Sequence, residues 1–236
     1  MILVQQINQF PMKKIILAAY VMLLISCSGQ QIILLRPEPG YNDVIQNNTV
    51  SINDITETKN GPGNENIPGW LSAYLNGGIR EVENIVFYLT RYCFIGVNES
   101  NNFNALSKWV ENYSVIQDFP RLAAARIERK LISAATLYPD DEYGNFFETM
   151  VKKAFDTEFP DAHLEDTYWI KKRIVRNEAI NEIEEIYEFY VFISISKTEM
   201  MSIIENMIIE SLAVVTPNRA QNNAIRRLRQ NFFMEF

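Results

Sequence analysis

Residues 183–194, with the sequence IEEIYEFYVFIS, decide the fold class of this chain because aromatic side chains crowd the stretch. Aromatic and β-branched residues suit a pleated surface, so the stretch predicts a β-strand. Its aromatic residues are Tyr187, Phe189, Tyr190 and Phe192. Residues 167–176 alternate between two sets of side chains and predict a second strand. A polar turn around residues 177–182 joins the two strands into a hairpin.

A helix follows this hairpin directly. Ser196-Lys197-Thr198-Glu199 matches a capping box, in which the Ser hydroxyl and the Glu carboxylate each accept a backbone N–H. The spacing of apolar residues then predicts a helix through Leu212. After Thr216-Pro217 a last helix carries four arginines, and residues 216–236 are predicted to form a C-terminal helical tail.

The segment before the hairpin predicts one strand and three helices. Residues 84–97 predict a long strand that is apolar on both faces. Helices are predicted over residues 104–113, from an N-cap at Asp118, and over residues 142–159 with Asp140 or Asp141 as the cap. This order predicts an α+β fold over residues 67–215, in which a small, mostly antiparallel sheet of three or more strands packs with four to five helices.

The beginning of the chain has the pattern of a signal peptide. Lys13 and Lys14 precede an apolar run of 11 residues, 15–25, which is typical of a secretory signal and too short to span a bilayer. We therefore expect residues 1–26 to be a cleaved signal peptide. Residues 1–11 fit such a peptide poorly, which a translation start at Met12 would explain.

Leu24-Ile25-Ser26-Cys27 resembles the lipobox of bacterial lipoproteins. The resemblance implies that Cys27 becomes the first residue, carries diacylglycerol and an N-acyl chain, and anchors the chain to a membrane. Each buried acyl methylene contributes about 0.8 kcal/mol, so several chains hold a protein firmly. Ser28, at a position where Asp retains lipoproteins in the inner membrane, implies an outer-membrane location in the cell envelope. The alternatives are an ordinary secretory peptide and an uncleaved short anchor.

Residues 27–66 have the composition of a flexible tether, with prolines and glycines among Asn, Gln, Thr and Glu. Only residues 32–35 and 50–55 could pair as short strands. We expect this lipid-anchored tether to hold the folded part away from the membrane surface.

The charge of the chain argues against a nucleic-acid-binding protein, and its cysteine content argues against a disulfide-stabilised one. Without the signal peptide, 20 basic residues stand against 29 acidic ones, so the chain lacks the basic surface that binds nucleic acid. Acylation of Cys27 would leave Cys93 as a lone cysteine and exclude an internal disulfide. The apolar neighbours of Cys93 predict a buried, unreactive thiol.

Few residues are candidates for a catalytic or metal-binding role. His163, the only histidine, could bind a metal with Asp161 and Glu165, but one His beside two acids is a poor zinc ligand set. Residues 140–142, Asp-Asp-Glu, lack the turn glycine of a calcium loop and suit helix capping better. No nucleophile has a local signature, and residues 76–78, Asn-Gly-Gly, predict a turn. We therefore predict no enzymatic activity, no catalytic or metal site, and no cofactor.

Short motifs within residues 67–210 resemble a family of small outer-membrane lipoproteins. They are Pro68-Gly69-Trp70-Leu71, a strand ending Phe94-Ile95-Gly96-Val97, the helix segment Leu122-Ala123-Ala124-Ala125-Arg126-Ile127, and a hairpin with a closing helix. That family shares a domain with the amino-terminal part of flagellar assembly protein T. The resemblance implies a non-enzymatic envelope protein that assembles with other proteins.

Two functions follow from these patterns. The leading prediction is a lipid-anchored, non-enzymatic lipoprotein that binds or scaffolds a protein partner. The alternative is a periplasmic or surface module that binds a small molecule or glycan in an aromatic pocket. The pocket candidates are Tyr187, Tyr190, Glu165 and His163. Arg226–Arg229 could also pair with lipid phosphate or a partner's acids, or form a solvated helix face.

Overall fold

The computed structural model describes residues 54–177, 182–233 and 236. Within this part of the chain, seven helices pack around one five-stranded antiparallel sheet, which confirms the α+β fold. The strands are β1 (Ile55–Thr58), β2 (Gly61–Pro62), β3 (Arg91–Ser100), β4 (His163–Asn177) and β5 (Glu182–Ser196). The helices are α1 (Gly69–Gly77), α2 (Ile79–Glu83), α3 (Phe103–Glu111), α4 (Val115–Ala135), α5 (Phe146–Asp156), α6 (Lys197–Val215) and α7 (Arg219–Phe232).

The predicted hairpin is the centre of the sheet, whose strand order is β2-β1-β4-β5-β3. Lys171 of β4 lies opposite Tyr187 of β5, and β3 pairs with the other edge of β5 so that Gly96 lies opposite Val191. Each face of β5 contributes to a separate hydrophobic core, because successive side chains of a strand point to opposite faces.

One core lies between the sheet and helices α4 to α7. It includes Phe94, Val191, Ile193 and Ile195 from the strands. The other core lies under α1 and α2 and includes Cys93, Ile95, Tyr190 and Phe192. Tyr187 and Phe189 alternate with these residues and face the opposite side, so the aromatic residues of β5 are divided between the two faces of the sheet.

The predicted strand over residues 84–97 is wrong in its first half, since β3 begins at Arg91. Residues 86–88 form a 3-10 turn instead. Ile85 and Tyr88 pack against the core, whereas Val86 and Phe87 are exposed. A continuous apolar run is compatible with either arrangement, because its residues give no contrast between inward and outward positions. Helices α1 and α2 before this turn were not predicted either.

The ends of several helices differ from their predicted positions. Helix α4 begins after Ser114, and the Asp118 carboxylate accepts the Ser114 N–H at 2.9 Å from inside the first turn. Helix α5 begins after Asn145, so neither Asp140 nor Asp141 caps it. Polar residues near a helix start can be predicted, but which of them occupies the cap depends on tertiary contacts.

The predicted tether extends too far, because residues 55–58 form β1 and pair with β4. The C-terminal tail is also part of the fold, since Ile225, Leu228 and Phe232 of α7 are buried in the core. Cys27, the predicted signal peptide and residues 27–53 of the predicted tether lie outside the described residues.

Candidate functional site

The most unusual surface of the described part of the chain is an apolar turn that joins α2 to β3. The fractional exposures of Val86, Phe87 and Leu89 are 85%, 72% and 52%. Single exposed apolar residues are common on protein surfaces, whereas several adjacent ones mark a contact site or an aggregation hazard. We refer to Val86, Phe87 and Leu89 as the apolar turn.

The backbone of the apolar turn is held firmly. The Tyr88 ring packs edge-on against Phe192, with 5.1 Å between ring centroids, and the Tyr88 N–H donates to the Ile85 carbonyl at 2.7 Å. On the other side, Lys197 Nζ donates to the Leu89 carbonyl at 2.9 Å. A partner that binds the turn would therefore lose little conformational entropy in ordering it.

A charged network lies beside this turn, where β3, β4 and β5 end together. Arg91 Nε donates to Ser194 Oγ at 2.6 Å, and that hydroxyl donates to the Glu165 carboxylate. The Asp161 carboxylate accepts the Ser196 N–H at 2.9 Å and lies 3.9 Å from Arg91. The Ser196 N–H and the nearby Arg91 and His163 lower the pKa of Asp161. We refer to these side chains, with His163, as the Arg91 network.

The Arg91 network joins the strand ends and has no geometry for nucleophilic catalysis. Ser194 is fully buried and its hydroxyl is engaged by Arg91 and Glu165. His163 is more than half exposed, and its Nε2 contacts Asp161 at 3.3 Å. Burial, aided by Glu165 and Asp166, raises the pKa of Tyr88 to about 12, so this phenol remains protonated at neutral pH.

A second apolar surface is a groove of about 460 Å³ between α4 and α5. Its apolar lining residues are Ile132, Phe147, Val151 and Phe155. Glu128, Glu148 and Lys152 border it. Ile132 and Phe155 are each about half exposed, which makes this surface less prominent than the apolar turn.

The structure does not bring together the residues predicted for an aromatic pocket. Tyr190 is buried in the core under α1 and α2, while Tyr187 points to the other face of the sheet. His163 lies opposite Ser194, seven residues along β5 from Tyr187 and hence about 23 Å away. Tyr187 and Tyr190 therefore cannot line one pocket with His163.

The predicted arginine cluster is partly engaged in ion pairs within the protein. Arg227 forms a bidentate pair with Asp141, with distances of 2.5 and 3.1 Å, and Arg229 pairs with Glu205 at 3.0 Å. The Asp141 carboxylate therefore accepts hydrogen bonds from a side chain of α7. Arg226 is exposed and contacts the Asn223 side chain.

Cys93 is fully buried, and burial raises the pKa of its thiol. Its N–H donates to Glu83 Oε1 at 2.9 Å. Within residues 54–177, 182–233 and 236, no cluster of three or more His, Cys, Asp or Glu is placed to hold a metal ion. No helix within these ranges is long and apolar enough to cross a membrane.

Sequence reasoning missed the apolar turn because residues 85–89, IVFYL, have the composition of a strand. The three-residue spacing of Ile85 and Tyr88 is the one signal that could have indicated a turn. Comparisons of the chain with protein-family models, with curated proteins and with solved structures gave no match.

Proposed function

We propose that this chain is a lipid-anchored lipoprotein of the cell envelope that binds a protein partner through its apolar turn. The observation that carries the proposal is the exposure of Val86, Phe87 and Leu89 on a firmly held backbone. The lipobox at residues 24–27 supports the anchor, and the resemblance to assembling envelope lipoproteins supports a protein as the ligand. In this proposal the chain has no enzymatic activity.

The three exposed side chains of the apolar turn are enough to provide a few dominant contacts with a partner. Burying an apolar side chain of this size contributes about 1.5–3 kcal/mol. At protein interfaces, a few residues supply most of the affinity. Phe87 is the best candidate for the central contact, because its ring is large and lies between two other exposed apolar residues.

Site-specific crosslinking tests this surface in the full, membrane-bound chain. We expect a photoreactive phenylalanine at position 87 to form one defined crosslinked product with another protein. The same residue at Ile116, which is 82% exposed at the start of α4, is the matched control. Equal products from both positions, or none from position 87, would contradict docking at the turn.

Substitution tests whether the crosslink depends on the apolar character of the turn. Val86→Ser with Leu89→Ser should reduce the product from position 87 at least tenfold, because two of the three apolar contacts are lost. Ile116→Ser should leave it unchanged. Surface substitutions of this kind change stability by about 0.5 kcal/mol or less, so folding should be preserved.

The anchor is tested separately, at Cys27. We expect mass spectrometry of the native amino terminus to find diacylglycerol and an N-acyl chain on Cys27. A Cys27→Ala variant should lose processing and lipid modification. An unmodified thiol at residue 27 in native material would contradict the anchor without bearing on the apolar turn.

A further inference from the structure

One face of β4 is left open by the helices. The core under α4 to α7 takes its strand residues from β3 and β5, and none of its described members comes from β4. On this face, the pairing places Trp169 opposite Phe189, Lys171 opposite Tyr187 and Arg173 opposite Glu185. We refer to the surface formed by Lys59, Trp169, Lys171, Arg173 and Tyr187 as the ledge.

The ledge has a fixed aromatic surface. Trp169 stacks on Phe189, with 6.2 Å between ring centroids and 20° between ring planes. Phe103 of α3 supports the edge, with its centroid 5.2 Å from Trp169 and 5.1 Å from Tyr187. Trp169 and Tyr187 are half-buried, so each ring keeps part of its surface in solvent.

The ledge is locally basic within an acidic chain. Lys59, Lys171 and Arg173 stand against two carboxylates, Glu57 and Glu185, while the whole chain carries a formal charge of −7.

The three basic side chains of the ledge differ in how tightly neighbouring groups of the protein hold them. Lys171 is engaged by Glu185 at 2.6 Å, and its ammonium lies 5.6 Å from the Tyr187 ring centroid. Arg173 is more loosely held, 3.8 Å from Glu185, with 54% of its side chain exposed. Lys59 Nζ donates to the Thr167 carbonyl at 2.7 Å and is exposed, so it keeps donors for a ligand.

We propose that the ledge binds an acidic oligosaccharide, a chain of sugars that carry carboxylates. The apolar C–H face of a pyranose packs on an aromatic ring, and Trp169 offers a half-buried ring on the part of the sheet that helices α4 to α7 leave open. Arg173 pairs with a carboxylate of one sugar through its planar guanidinium. Lys59 Nζ contacts Thr167, six residues and about 20 Å along β4 from Arg173, so it pairs with a carboxylate of a sugar several units further along the oligosaccharide. This site is separate from the apolar turn and its ligand is separate from the protein partner.

The test uses the full chain in detergent, with hexagalacturonate as the probe and neutral maltohexaose as its control. Isothermal titration should show saturable binding of hexagalacturonate that weakens as salt rises, because the carboxylate contacts are screened. Trp169→Ala should weaken binding at least tenfold. Arg173→Ser should weaken binding and reduce its salt dependence. Since Arg173 is exposed, this variant keeps the test valid should Trp169→Ala fail to fold.

Two variants remote from the ledge serve as matched controls. Phe155→Ala removes an exposed aromatic ring from α5, and Arg226→Ser removes an exposed arginine from α7; both should bind hexagalacturonate as the unaltered chain does. The proposal is overturned by the absence of saturable binding or by equal binding of maltohexaose. It is also overturned if folded Trp169→Ala and Arg173→Ser both bind normally, or if the ledge captures a protein and no sugar.

Discussion

At the scale of single residues, the Arg126 guanidinium joins several separate parts of the fold. Its guanidinium pairs with Glu83 at 2.8 Å and donates to the carbonyls of Cys93 and Phe236, each at 3.0 Å. Its centre lies 4.8 Å from the Tyr92 ring centroid and makes similar contacts with two further rings. The planar group thus joins α2, β3, α4 and the end of the chain, which an ammonium could not do.

Removal of this guanidinium should be strongly destabilising. We expect Arg126→Met to lower the free energy of unfolding by about 3–5 kcal/mol, because Glu83 would stay largely buried without its partner. A Glu83→Gln, Arg126→Met double variant should recover much of the loss, since Gln can still accept the Cys93 N–H. Urea denaturation of the unaltered protein, of Arg126→Met and of the double variant measures both effects. A loss for Arg126→Met no larger than for the exposed Arg226→Met would show that the pair is unimportant.

Asp161 makes stability depend on pH. Its pKa is lower in the folded protein than in the unfolded chain, so its contribution is fully present above the unfolded value of about 4. That contribution is lost as pH falls through the folded pKa. Solvent reaches about a third of this side chain, so the effect should stay below about 1 kcal/mol. Urea denaturation of Asp161→Asn and the unaltered protein should differ at pH 7 and converge as the pH falls through the lowered, folded-state pKa of Asp161. A difference that grows on acidification would contradict this.

At the scale of elements, the capping box predicted at the start of α6 forms only in part. The Ser196 hydroxyl accepts the Glu199 N–H at 3.4 Å, as a capping box requires. The Ser196 N–H, however, donates to Asp161, which comes from the loop before β4. A distant residue therefore takes the place predicted for the Glu199 side chain.

This arrangement predicts unequal effects of the two cap residues. Ser196→Ala should cost about 1 kcal/mol, because it removes the side-chain acceptor at the N-cap. Glu199→Gln should cost only a few tenths, from the loss of a negative charge near the helix N-terminus. Thermal and urea denaturation of both variants would measure the difference. Equal losses would indicate that the Glu199 carboxylate completes the capping box in solution.

Elements with a strong internal signal could be predicted from the sequence. The β4–β5 hairpin has clear alternation or dense aromatic content, and α6 combines a cap with a long apolar stripe. The segment from Ile85 to Leu89 could not be predicted, because five consecutive apolar residues do not show which side chains face inward. Its turn depends on contacts such as that between Tyr88 and Phe192, which are 104 positions apart in the sequence.

At the scale of the whole molecule, the surfaces proposed for binding arise from packing that no local pattern encodes. The ledge exists because the core under helices α4 to α7 takes its β5 residues from Val191 onward and takes none from β4, which leaves Tyr187 and one face of β4 outside it. The aromatic content of β5 could be predicted, but the division of Tyr187 and Tyr190 between opposite faces separates them from a common pocket. The apolar turn is likewise set by packing, because Ile85 and Tyr88 pack against the core while Val86, Phe87 and Leu89 remain exposed.

The same packing makes the last helix essential to the fold. Leu228 and Phe232 of α7 are each 1% exposed, and they pack in the core that α4, α5 and α6 share. Leu228→Ala should therefore cost about 2–5 kcal/mol, a large part of the 5–15 kcal/mol typical of a folded domain. Truncation after Thr216 should abolish the cooperative unfolding transition in urea, because it would expose the apolar faces of three helices at once. A truncated chain that unfolds cooperatively at the original urea concentration would show that residues 217–236 are a dispensable tail.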